Sequence, residues 1–179
     1  SGANILLRSA FKYSKNGAAV NLCYQIGPRS VIRIARKCGI EDPLYEDCQN
    51  LTLGSSSTRL RDLVNAYAVI VANGYARRPI IVTKVVDRNG NVVYSEEEEG
   101  KRQVLAYRTA FLMQQMLMAG MEGTSRPLYN YISRYASTTD FGGKTGTTNE
   151  SADALYVGVT PDLVGGAWVG GEYRDIHPN

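Results

Sequence analysis

The sequence predicts an α+β fold in which a block of helices precedes an antiparallel sheet. Three observations predict it. Apolar residues over 4–136 recur mainly at helical spacing, broken by one hairpin signal. From Gly142 to Gly171 they come instead in three strand-like runs. The last two runs are joined by Thr160-Pro161-Asp162, a link so short that the strands must be antiparallel neighbours.

Asn4 to Tyr13 reads as a helix, with Ile5, Leu6, Ala10 and Phe11 available to one face. Gly17 to Ile26 is a second helix, stopped by Gly27-Pro28. Arg29 to Cys38 is a third, with Val31, Ile34 and Ala35 at helical spacing and Gly39 as its C-cap. Leu53-Gly54-Ser55-Ser56-Ser57 is a loop, and Thr58 caps a long helix to Ala72. Leu60, Leu63, Val64, Tyr67 and Val71 give that helix its buried stripe, and Asn73-Gly74 ends it.

Ile80 to Val86 and Val92 to Ser95 form a hairpin around Asp87-Arg88-Asn89-Gly90-Asn91, because Asn-Gly accepts positive φ. Glu96 to Glu99 is an exposed acidic loop. Gln103 to Ala119 is an apolar helix whose Met113, Met116 and Met118 read as core filler. Pro127 to Ala136 is a further helix with Pro127 in its first turn. The strand runs are Gly142 to Thr148, Ala154 to Thr160 and Leu163 to Gly171.

The chain has 179 residues, a one-domain length, and its 44% hydrophobic and 21% charged content exclude bulk disorder. A net charge of +3 gives no argument for nucleic acid as a partner. Arg29, Arg33, Arg36 and Lys37 form a solvated helix face. No apolar run reaches the ~18 residues of a membrane span. Cys23, Cys38 and Cys48 match no zinc spacing, and His177 is the one histidine, so no metal and no cofactor is expected. One disulfide among the three thiols stays open.

Lys144-Thr145-Gly146-Thr147-Thr148 is the sharpest chemical feature. In a strand, Lys144 and Gly146 share one face while Thr145 and Thr147 share the other. At a sheet edge, the free backbone groups pair with an extended peptide, and a glycine allows close approach. Lys144 supplies positive charge, and the threonine hydroxyls suit a carboxylate. The pattern therefore describes a site for the carboxyl end of a peptide. An ordinary strand with a surface lysine is the plain alternative. A phosphate loop is excluded, because it needs a glycine where Thr138 stands. Ser14-Lys15-Asn16, between the first two helices, can point a hydroxyl and an amide into one cleft, although helix capping alone explains it equally well.

The two together, in this order, resemble the second and third motifs of penicillin-binding proteins and serine β-lactamases. The resemblance extends further. Lys144 to Asn149, Asp153 to Val164 and Trp168-Val169-Gly170 are similar to the end of class A penicillin-binding proteins. Leu53-Gly54-Ser55 through Ala66-Tyr67-Ala68, Ala72-Asn73-Gly74 and the Pro79 to Tyr94 hairpin also resemble that family. Leu155-Tyr156 departs from it where an aromatic pair is common.

The resemblance implies the penicillin-binding/serine β-lactamase transpeptidase fold, incomplete at both ends. Residues 1–179 would be a partial domain without the upstream nucleophile segment and the final helix. It implies a peptidoglycan D,D-transpeptidase that D-Ala-D-Ala stem peptides and β-lactams acylate, with this fragment alone inactive. Ser14 would relay a proton, Asn16 would hold the substrate amide, and Lys144 would keep the local field positive. Thr145 and Thr147, with Gly146 between them, would bind the terminal carboxylate, and the Thr147 backbone N–H would form half of the oxyanion hole. The implied partners are stem peptides, β-lactams and an upstream glycosyltransferase domain of the same protein. The membrane would be met only through an N-terminal anchor outside this chain, on the outer, periplasmic side of the bacterial cytoplasmic membrane. Ser9-Ala10-Phe11-Lys12 fits the nucleophile spacing, but it lies in the helix leading to Ser14 and is rejected. A serine β-lactamase-like hydrolase and a non-catalytic penicillin-fold binding module are the rival readings.

Overall fold

The computed structural model describes residues 4–97, 99–135, 138–147 and 153–171. Glu98, Ala136, Thr148, Asn149 and His177, which fall within features named above, lie outside the described residues.

Seven helices and seven strands are described, with the helices mostly first. α1 (Leu7–Lys12), α2 (Asn16–Ile26) and α3 (Pro28–Lys37) follow one another through tight turns. α3 ends in a Schellman motif, with Gly39 at φ 99° and Ile40 N–H donating to Ala35 O at 3.1 Å. α4 (Cys48–Leu53) is capped by Asp47, whose carboxylate accepts from Asn50 N–H at 2.9 Å.

α5 (Leu60–Val71) begins after Arg59 rather than at the expected cap Thr58. Arg59 instead pairs with Glu41, Asp42 and Asp62, which ties the loop after α3 to the start of α5. α5 ends in a second Schellman motif, with Asn73 at φ 57° and Gly74 N–H donating to Val69 O at 2.8 Å.

β1 (Tyr75–Ala76) pairs with β4 (Arg102–Gln103), and β2 (Lys84–Val86) pairs with β3 (Val92–Ser95). The hairpin turn is held by Asp87, whose Oδ1 accepts from Asn89 N–H at 2.8 Å and from Asn91 N–H at 2.9 Å. The expected strand from Ile80 shortens to Lys84–Val86, because every residue of the ribbon is exposed and no core extends the pairing past Thr83, whose carbonyl accepts from Glu96 N–H at 3.0 Å. α6 (Tyr107–Gly120) starts later than Gln103, which is paired in β4. Pro127 lies in a 3-10 turn (Arg126–Leu128) that leads into the short α7 (Tyr129–Ile132).

β5 (Gly142–Thr147), β6 (Asp153–Val159) and β7 (Val164–Gly170) form an antiparallel sheet in the order β5-β6-β7. Lys144 is opposite Val157, which is opposite Gly166. That face carries the core. α6 lays Leu117 over Gly142, and α5 lays Leu60 and Val64 over Gly166. Leu117, Val69 and Val157 are the largest fully buried apolar side chains here. The glycines in β5 and β7 let the helices approach closely enough to bury these residues.

Candidate functional site

Ser14 owes its position to the way α1 ends. Ser14 N–H donates to Phe11 O at 3.0 Å and Lys15 N–H to Ala10 O at 2.8 Å, a third Schellman motif. Its αL residue is Ser14, at φ 49°. Glycine is the usual occupant, since a side chain there costs roughly 1–2 kcal/mol. A serine held in this conformation marks the turn as a place where the hydroxyl is kept at some cost to stability. The turn aims the Ser14 hydroxyl at the sheet.

Lys144 comes from β5, which stands at one edge of its sheet among the described residues. Strand alternation puts Lys144 on the helix-covered face and Thr145 on the other. The Lys144 ammonium donates to Ser14 Oγ at 2.8 Å and to Thr145 O at 2.6 Å. It also lies 6.0 Å from the centre of the Phe11 ring. Partial burial holds this ammonium below the usual lysine range. A lysine so placed polarises the Ser14 hydroxyl and gives up its proton more readily than a surface lysine does.

Thr145 faces a different neighbour. α6 runs along the core face and passes the edge of β5 at Gly120, where a Cβ would collide with Gly143 O. Residues 121–125 then continue on the far face. There the Thr145 hydroxyl donates to Thr124 Oγ1 at 2.9 Å, and the Tyr156 hydroxyl lies 3.5 Å from Met121 Sδ. Tyr156 fills the space under Gly143, so a Cβ at Gly143 would strike its hydroxyl. Burial raises the Tyr156 pKa, and the Ser125 hydroxyl partly opposes this.

The structure thus brings Ser14, Lys144 and Thr145 into one neighbourhood. Gly146 and Thr147 continue β5 toward solvent, and Thr147 is exposed. At Gly146 a Cβ would make only an ordinary 3.5 Å contact with Leu155, so the chain's own packing does not demand this glycine. Asn16 opens α2 and is exposed. It lines a hollow between α2 and α4 with Val20, Tyr24, Gln49 and Leu53.

Lys12, in α1, is half-buried and paired. Its ammonium bonds Glu122 at 2.8 Å, which raises its pKa. Thr124, Phe11 and Tyr156 were missed as neighbours of the site. The one local signal was Gly123-Thr124-Ser125, a glycine and two hydroxyls directly after an apolar helix. Among the described residues no group of His, Cys, Asp and Glu is placed to hold a metal, and no helix is long and apolar enough to cross a membrane.

Comparison with known proteins places the chain in a family. Residues 1–162 match the family model described as the penicillin binding protein transpeptidase domain. Penicillin-binding protein 1A of Aquifex aeolicus is 33% identical over 93% of this chain, which spans 22% of that protein. The crystal structure of penicillin-binding protein 1A from Haemophilus influenzae superposes with a TM-score of 0.86 at 24% identity, over 97% of this chain and 31% of that one. PonA1 from Mycobacterium tuberculosis, solved in complex with penicillin V, superposes with a TM-score of 0.72 at 28% identity, over 95% of this chain and 49% of that one.

Proposed function

Since the chain belongs to the penicillin-binding protein transpeptidase domain family of the class A type, we propose that it is part of the transpeptidase domain of a peptidoglycan D,D-transpeptidase of bacterial cell-wall synthesis. The contact between the Lys144 ammonium and Ser14 Oγ at 2.8 Å carries the reading. It joins two motifs that are uninformative apart and form a proton-transfer unit together.

In this reading a serine outside these 179 residues attacks the D-Ala-D-Ala amide of a stem peptide, displaces D-alanine and forms an acyl-enzyme. An amine of a second stem peptide then takes the acyl group. Ser14 passes the proton from the attacking serine's base to the leaving amine. Lys144 holds the field positive at Ser14. Asn16 binds the substrate amide, which requires the side chain at the start of α2 to turn toward the groove. Thr145 and Thr147 bind the terminal carboxylate, and the Thr147 backbone N–H contributes to the oxyanion hole. The edge of β5, unpaired among the described residues, supports this, because it can pair with an extended peptide while Gly146 leaves room beside it. In this reading β-lactams acylate the same serine; PonA1 forms a complex with penicillin V.

Ser9 is not that nucleophile. Lys12, three residues on, is paired with Glu122 at 2.8 Å, which raises its pKa and disfavours it as a base. The full protein would carry a glycosyltransferase domain upstream and act on the outer face of the cytoplasmic membrane. The test is labelling with a fluorescent penicillin. The full-length protein is expected to label covalently and the 179-residue chain to stay unlabelled. Labelling of the short chain at Ser9, or none of the full-length protein, would overturn the reading.

A further inference from the structure

Residues 122–125 join the two halves of the site, and neither motif includes them. Thr124 sits at the junction. Its backbone N–H donates to Lys12 O at 3.2 Å, the last residue of α1 and two positions before Ser14. Its hydroxyl meets that of Thr145 at 2.9 Å. The approach to α1 is close over the two residues that precede Thr124. A Cβ on Gly123 would collide with Lys12 O, and Glu122 bonds the Lys12 ammonium at 2.8 Å. Ser125, next in sequence, is buried under Tyr156. Thr124 is thereby fixed at both its backbone and its flanks, while it remains partly open to solvent.

The hydroxyl chemistry gives this placement a consequence. A threonine hydroxyl has one proton to donate. Thr145 donates that proton to Thr124 Oγ1. A carboxylate arriving at Thr145 requires the proton to swing toward it. Thr145 Oγ1 then loses its donor role to Thr124 and can accept the Thr124 proton in return. The chain becomes Thr124 O–H to Thr145 O–H to carboxylate, in which each bond polarises the next.

Resting on the transpeptidase reading above, we infer that Thr124 is a positioning residue that sets Thr145 as a donor to the substrate's terminal carboxylate. It also ties that donor to the α1 turn that presents Ser14. The role is specific to a negatively charged carboxylate, because a neutral ester places far less demand on the donor chain.

The full-length protein can be tested with penicillin V and its methyl ester, comparing second-order acylation rates for the unsubstituted protein, Thr124→Val and Thr124→Ser. Thr124→Val keeps the shape and removes the hydroxyl. It is expected to lower the acid-to-ester rate ratio about tenfold, the scale of one charge-linked hydrogen bond. Thr124→Ser is expected to retain the ratio. Equal loss with acid and ester in Thr124→Val would make the residue a structural brace and overturn the inference, as would an unchanged ratio. Failure of the unsubstituted protein to acylate at all would overturn the transpeptidase reading itself, and the role of Thr124 with it.

Discussion

The ammonium of Lys144 stands 2.8 Å from the hydroxyl of Ser14, across 130 positions of sequence. One partner sits on a strand of a sheet whose face two helices bury, and the other on the closing turn of a helix. Each is placed by backbone structure, so the pair is preorganised and its geometry does not depend on a flexible loop.

Ser14 holds its hydroxyl there in the αL conformation, at φ 49°. Ser14→Gly removes the steric penalty, and Ser14→Ala keeps it while losing the bond to Lys144. The glycine variant is therefore expected to be more stable than the alanine variant by about 1 kcal/mol in urea unfolding. Both are expected to be acylated more slowly in the full-length protein. An alanine variant as stable as the glycine variant would contradict the strained-turn assignment.

The crossing of α6 over the β5 edge makes Gly120 a point of no tolerance, because the obstacle is the backbone oxygen of Gly143. Gly120→Ala is expected to cost about 2–3 kcal/mol in urea unfolding. Gly17→Ala meets nothing within 4 Å and lies in the first turn of α2. It is expected to be neutral or to stabilise by about 0.5 kcal/mol. Equal effects at the two positions would refute the crossing.

The fold was legible where local chemistry and tertiary packing agree. The β5–β7 meander followed from three runs and one tight link, and the Asp87–Asn91 turn from its own residues. The ends of α3 and α5 were marked by Gly39 and Asn73-Gly74. Two-residue strands such as Tyr75–Ala76 had no periodicity to reveal them, and their pairing with Arg102–Gln103 depends on the chain between them. The six-residue α4 was likewise too short to show a pattern. At the site, Ser14 and Lys144 were readable as motifs. The bond from Thr145 to Thr124 was not, because it exists only after α6 has crossed the edge of β5.

The cysteines give stability a pH signature. Cys23, buried in α2, is pushed up to about 11, first by burial and then by the Cys48 thiol beside it. In the unfolded chain a thiol loses its proton near pH ~8.5. Between these values the folded protein keeps a proton that the unfolded chain releases, so folding becomes less favourable as pH rises. The contribution is constant below the ordinary thiol range and declines from about pH 8.5 to about pH 11. The urea midpoint of the reduced protein is expected to fall across this window, and to fall less in Cys23→Ala. A gap between the two proteins that does not change with pH would contradict the buried-thiol assignment.

The groove shared by Ser14 and Lys144 is tested most directly by a double-mutant cycle. The rate of penicillin V acylation of the full-length protein would be measured for Ser14→Ala, Lys144→Met and the pair. Each single variant is expected to lose about 100-fold, and the double variant little more than the worse of the two, because both break one proton-transfer unit. Losses that multiply to about 10,000-fold would show two independent residues and contradict the shared groove.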